Sequence, residues 1–166
     1  MKFVIEHTYP QITPAAYETL HFDETFAAAL GEALGLGRVL IRLDRTPERI
    51  VRHVRCTPKR DPKDQAAQVL DDKASYVEEL EYEVGPRRGE WRTLPSVWPD
   101  RVRTTGSIEF AAAPGGGTRR IVRGEVHVAI FAVGRIVERF IVAEIEKSYA
   151  GAARFTADWL AHTNRT

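Results

Sequence analysis

The sequence predicts an α+β fold in which an antiparallel sheet of about six or seven strands is covered by one long C-terminal helix. Three observations carry this prediction. Between Arg38 and Phe131 the chain alternates apolar and polar residues in short runs separated by turn signals. Two short helical stretches intervene between the first strand and that series. Residues 133–162 then contain no proline and only two glycines, room for a single helix.

The elements follow in order. Residues 2–9 alternate, with Phe3, Ile5, His7 and Tyr9 on one face, so they read as a half-buried strand that Pro10 ends. Thr13-Pro14 has the form of an N-cap with proline at the first helical position and opens a helix to about Leu20. Asp23 caps a second helix, stopped by Gly35 and Gly37. Residues 38–44 and 49–56 flank a turn containing Pro47, as in a hairpin. Residues 61–75 are polar, carry one proline before Ser75, and predict a loop with a turn of helix. In 75–84, Tyr76, Leu80, Tyr82 and Val84 share a face with Glu78. Residues 90–95 and 101–111 are two more strands around a proline-bounded loop, and PGGG at 114–117 turns the chain into a last strand at 119–131. In the C-terminal helix, at about 100° per residue, Val133, Val137, Ile141, Ile145, Ala152, Phe155 and Trp159 fall in one arc. Glu144 and Ser148 lie angularly among them.

Composition narrows the function classes. At 166 residues and 43% hydrophobic content the expectation is one globular domain spanning residues 1–166, with a core that needs no staples. Twenty-four Lys and Arg against 23 Asp and Glu lack the basic excess of a dedicated nucleic-acid binder. One cysteine, Cys56, excludes an internal disulfide and a cysteine-rich zinc site. The N-terminus meets Glu6 and His7 before a signal-type apolar run develops, and no stretch has the length of a membrane span, so the cytoplasm is the expected location. Charge is uneven locally: residues 38–60 hold eight bases against two acids, and residues 61–90 nine acids against four bases. Alternation favours neighbouring strands whose outward faces attract one another over dedicated phosphate and partner patches.

Catalytic and cofactor signatures are missing. WPD at 98–100 has the form of a phosphatase acid loop, but the arginine needed six residues after a cysteine is replaced by Pro62. GLG at 35–37 follows a helix and lacks a third glycine, and PGGGT lacks the lysine of a phosphate loop. His53 and Cys56, three apart on a strand, point to opposite faces and cannot share a metal. No cofactor and no metal site are therefore expected. What remains is polar residues on faces that read as core: His7, Arg52, Glu78, Glu144 and Ser148. A buried charge must be paired or neutralised. These groups can pair among themselves (Arg52 with Glu78 being the simplest pair), lie in water at the open ends of the layer, or line a cavity and orient a ligand's polar head.

The segment GEVHVAIFAVGRIVERFIVAEIEKSYAGAARFTADWL (124–160) resembles the final strand and helix of a bacterial branch, of unknown function, of the START-like (SRPBCC, helix-grip) superfamily. WRTLPSVWPDRV (91–102) resembles the same branch's Trp-containing strand with its prolines. The resemblance implies a helix-grip fold, a curved sheet wrapped around the long helix, with a cavity between them for a hydrophobic small molecule or lipid. The candidate lining is His7, Arg52, Glu78, Tyr82, Trp91, Val137, Ile141, Glu144 and Ser148. The expected function is non-enzymatic binding or transport of that ligand. The alternatives are a polyketide cyclase/aromatase-like enzyme using Glu78, Glu144 or His7 as acid/base, and a protein-interaction module with a filled core.

Overall fold

The computed structural model describes residues 1–59 and 74–163. The loop expected at 61–75 therefore lies largely outside the described residues, as does the C-terminal triplet 164–166. Strand β1 (Lys2–Tyr9) leads into helices α1 (Pro14–His21) and α2 (Glu24–Ala33). Six strands follow: β2 (Leu36–Arg45), β3 (Arg49–Pro58), β4 (Tyr76–Glu83), β5 (Arg88–Pro95), β6 (Val102–Ala112) and β7 (Thr118–Val128). Helix α3 (Gly134–Thr163) closes the chain.

Local chemistry sets the boundaries. The Thr13 hydroxyl accepts the N–H of Ala16 at 3.3 Å with Pro14 in the first turn, and Asp23 Oδ1 accepts the N–H of Phe26 at 2.8 Å. In the β2–β3 turn the Thr46 hydroxyl accepts the N–H groups of Glu48 and Arg49. The last strand is shorter than expected. It ends at Val128, because Ala132 takes a left-handed φ of 65° and the Gly134 N–H already bonds the carbonyl of Ile130.

All seven strands form one antiparallel sheet in the order β1-β7-β6-β5-β4-β3-β2. Its inner face carries Phe3, Tyr9, Ile50, Leu80, Tyr82, Ile108, Phe110, Val122 and Val126, and α1 lies on it through Tyr17, stacked on Tyr9 at 5.0 Å and edge-on to Phe110 at 4.9 Å. Across the sheet the register aligns Trp91, Gly106, Gly124 and Phe3. A Cβ on Gly106 would stand 2.0 Å from the Arg123 carbonyl and 2.5 Å from Trp91, and one on Gly124 would stand 2.3 Å from the Phe3 ring. The two glycines thus let the aromatic rings lie down on the backbone of β6 and β7.

On the outer face, the uneven charge of β3 to β5 resolves into cross-strand pairs. Arg49 meets Glu81, Arg92 Nε donates to Glu79 at 2.5 Å, and Arg88 Nε to Glu83 at 3.0 Å. Such exposed pairs are worth less than about 1 kcal/mol each.

Helix α3 faces the sheet with a different arc from the one its apolar residues trace. Its buried residues are Gly134, Glu138, Val142, Ala152, Thr156 and Leu160, and Val133 is exposed. At 100° per residue this face is turned by roughly 70° from the apolar arc. Buried polar groups explain the turn. Glu138 accepts the N–H of Val128 at 3.0 Å, tying the first turns of the helix to the end of β7, and the Thr156 hydroxyl donates to the Ala152 carbonyl. Glu144 and Ser148, expected inside, are exposed.

Candidate ligand-binding site

The inner layer contains a polar centre in otherwise apolar surroundings. Alternation in β3 turns Arg52 inward, and alternation in β7 does the same for Arg120, each only 4% exposed. Arg52 Nη2 lies 3.7 Å from Glu78 Oε1 on the adjacent strand, its guanidinium sits 5.1 Å from the Phe22 ring centroid, and Nη1 donates to the His21 carbonyl at 3.4 Å. Burial disfavours its charge while Glu78 opposes that effect. Arg120 has no carboxylate within 4 Å among the described residues. Instead Nη1 reaches the Tyr17 hydroxyl at 3.4 Å and Nη2 the His7 Nδ1 at 3.1 Å, and the guanidinium stands 5.0 Å from the Tyr149 ring and 5.8 Å from that of Tyr9. Burial works against this cation, but Tyr17, Tyr9 and Tyr149 together hold it protonated.

Both arginines act on their neighbours. Burial, then Arg52, Arg120 and Arg38, hold the His21 pKa well below its ordinary 6.5, and its Nε2 has no hydrogen-bond partner among the described residues. Burial and Arg120 also lower the pKa of His7. Burial and the Glu78 carboxylate push the Tyr149 hydroxyl up to about 12, against the pull of the two arginines. Among the described residues, the two guanidinium groups of this centre have one carboxylate within 4 Å, Glu78 beside Arg52, itself 31% exposed, with Glu24 acting on Arg52 from farther away.

The sequence-derived lining is therefore divided. His7, Arg52 and Glu78 belong to the centre, and Tyr82 is fully buried against Phe22 at 4.9 Å. Trp91 is half-buried over Gly106, and Val137 and Ile141 form a half-buried flank of α3 with Ile145 and Tyr149. Glu144 and Ser148 are corrections: both face water on the other side of that flank. His21, Arg120 and Tyr149 were missed. Only Arg120 had a usable signal, since it shares the face of Val122, Gly124, Val126 and Val128 by simple alternation.

Two surface depressions stand out among the described residues. One of 80 Å³ lies between α2 and the β2–β3 hairpin, lined by Glu24, Ala27, Arg38 and Val54. The other, of 260 Å³, is an open groove along Thr105, Ser107, Arg123 and Glu125. Neither is a chamber beneath α3. No described helix is long and apolar enough to cross a membrane.

The family model described as Protein of unknown function (DUF2505) matches residues 5–160. The chain belongs to this family. No curated protein matches its sequence. Among solved structures, a protein of Thermus thermophilus superposes with a TM-score of 0.68 at 15% identity, covering 98% of this chain and 99% of that one. Ara h 8.0201 gives 0.63 at 12% identity over 98% of each chain. Norcoclaurine synthase from Thalictrum flavum gives 0.57 at 16% identity, over 92% of this chain and 84% of its own. These likenesses show the helix-grip fold, a curved antiparallel sheet around a long C-terminal helix. At such identities they carry no activity across.

Proposed function

We propose that this member of the DUF2505 family binds an apolar small molecule with an acceptor-bearing polar head, without catalysis, between the inner face of β3–β5 and the flank of α3. The observation that carries the reading is the excess buried positive charge at Arg52 and Arg120. A cation taken out of water is costly unless an anion or an acceptor answers it, and Arg120 has tyrosines and a histidine in place of a carboxylate. Ile141, Ile145 and Tyr149 offer apolar surface beside that centre. A pocket of this type is mostly apolar with a few convergent polar groups. The enzymatic alternative is weaker, since Glu144 is in solvent and His7 and Glu78 are both engaged with arginines. A filled-core interaction module is favoured by one observation, that neither depression lies beneath α3.

Native mass spectrometry of the protein purified from its host, joined to titration with an environment-sensitive fluorophore, tests the proposal. It predicts a co-purifying apolar compound, micromolar dye binding, and loss of that binding in a folded Ile141→Trp variant. Absence of both compound and dye binding would establish the filled-core reading instead.

A further inference from the structure

One end of the molecule exposes apolar side chains that the fold makes no use of. Phe131, just before α3, is 97% exposed, Ile136 is 67% exposed, and Val133, Phe140 and Trp98 also face solvent. Val133, Ile136 and Phe140 fall within about 60° of one another on the helix, on the side away from the sheet. The loop bearing Trp98 is stitched to the same place, because the Ala129 N–H bonds the Arg101 carbonyl at 2.8 Å. Trp98 and Ala132 take left-handed φ values of 53° and 65°, and Arg87 is the one other described non-glycine residue with positive φ. Such backbone is strained for a residue with a side chain, and in this fold two of the three described instances lie where the apolar tips are presented.

Bases predominate around these tips, with the exposed Asp100 of the Trp98 loop as the acid among them. Arg101, Arg103, Arg135 and Arg139 are exposed, and none forms an ion pair among the described residues. On the outer face of the sheet, by contrast, Arg42, Arg49, Arg88, Arg92, Arg119 and Arg123 each face a carboxylate. The acid on α3's first turns, Glu138, is buried and already bonded to Val128.

We infer that this end, formed by the Trp98 loop, Phe131 and the first two turns of α3, docks on an anionic lipid surface. Aromatic and aliphatic tips enter the headgroup boundary while unpaired arginines meet lipid phosphates, the pattern of an interfacial anchor. A second copy of the chain is disfavoured by charge: a two-fold contact would set these four arginines against the same four. A protein partner is disfavoured by shape, because the apolar residues protrude from two loops and a helix, whereas protein hot spots sit in pockets. The inference does not depend on the small-molecule reading.

Vesicle cosedimentation tests it with the full chain. Extruded vesicles of equimolar phosphatidylglycerol and phosphatidylcholine should bind the protein at least about tenfold more tightly than pure phosphatidylcholine, and binding should weaken from about 0.1 M to 0.5 M salt. The exposed double substitutions Phe131→Ser with Ile136→Ser, and Arg135→Gln with Arg139→Gln, should each lower binding by about fivefold or more with unchanged circular dichroism. As a readout that needs no altered apolar tip, brominated lipid should quench the wild-type tryptophan emission, and Trp98→Phe should remove that quenching. Absence of binding to anionic vesicles, equal binding to neutral ones, or full binding by both double variants would overturn the inference. So would a solution dimer abolished by Phe131→Ser, which would make a second copy the occupant.

Discussion

Replacing Arg120 with methionine asks whether this buried cation exists for stability or for binding. The side chain is 4% exposed and makes two long hydrogen bonds, at 3.4 Å to Tyr17 and 3.1 Å to His7, plus two ring contacts at 5.0 and 5.8 Å. The hydrogen bonds are worth about 1.5 kcal/mol each at the lower end for charged groups, and the ring contacts about 0.5–1 kcal/mol each. Losing all four therefore costs about 4–5 kcal/mol. Against this stands the desolvation of an uncompensated guanidinium, several kcal/mol, which Arg120→Met removes while nearly conserving length. The two sides cancel to within about 2 kcal/mol, or a melting-point change of no more than about 8 °C at this chain length. Differential scanning calorimetry gives the stability, and fluorophore titration should show affinity for a long-chain carboxylate probe falling about tenfold or more. A melting point lowered by more than about 15 °C with unchanged affinity would make Arg120 a structural residue and refute the reasoning.

The pH dependence of stability has a definite sign. His21 and His7 both have folded pKa values below 6.5, so the unfolded chain takes up protons first as pH falls. Unfolding free energy should be level above about pH 6.5 and decline below it, by at most about 1.4 kcal/mol per pH unit for each histidine. His21→Phe should flatten the decline, and an unchanged slope would contradict the assignment. Gly106→Ala should destabilise by about 2–3 kcal/mol or more, since its Cβ would stand 2.0 Å from a carbonyl that cannot move independently, and chemical denaturation will read this directly. Glu144→Gln and Ser148→Ala should each shift stability by less than about 0.5 kcal/mol, as for exposed sites; a larger change would return them to the interior.

The fold was legible in the sequence because the strands carry a period of two and the two short helices each begin at a capping residue. Thr13, Asp23 and the PGGG turn occupy the places their chemistry demands. The long helix was legible as an element but its orientation was not. Counting apolar residues puts Val133 inside and leaves Glu138 out, whereas the protein buries Glu138 because its carboxylate satisfies the Val128 N–H at the end of β7. That partner is ten residues distant and invisible to a helical wheel. The same rotation brings Tyr149 to the polar centre and removes Glu144 and Ser148 from it. Arg52 and Glu78 were recognisable as inward charges on neighbouring strands, and they meet at 3.7 Å. Arg120 joins His7 only through the β1–β7 pairing, which places those two residues opposite each other, and nothing local to either announces a contact between chain ends.

Binding between the sheet and α3 is best tested by methyl and amide NMR shift mapping during titration with a long-chain carboxylate. Saturable shifts should concentrate on Ile141, Ile145, Tyr149, Trp91 and Arg52, and should vanish when Ile141→Trp sets an indole on that flank of α3. Shifts confined to Phe131, Ile136 and Trp98, or no saturable shifts at all, would contradict a binding site within the helix-grip layer.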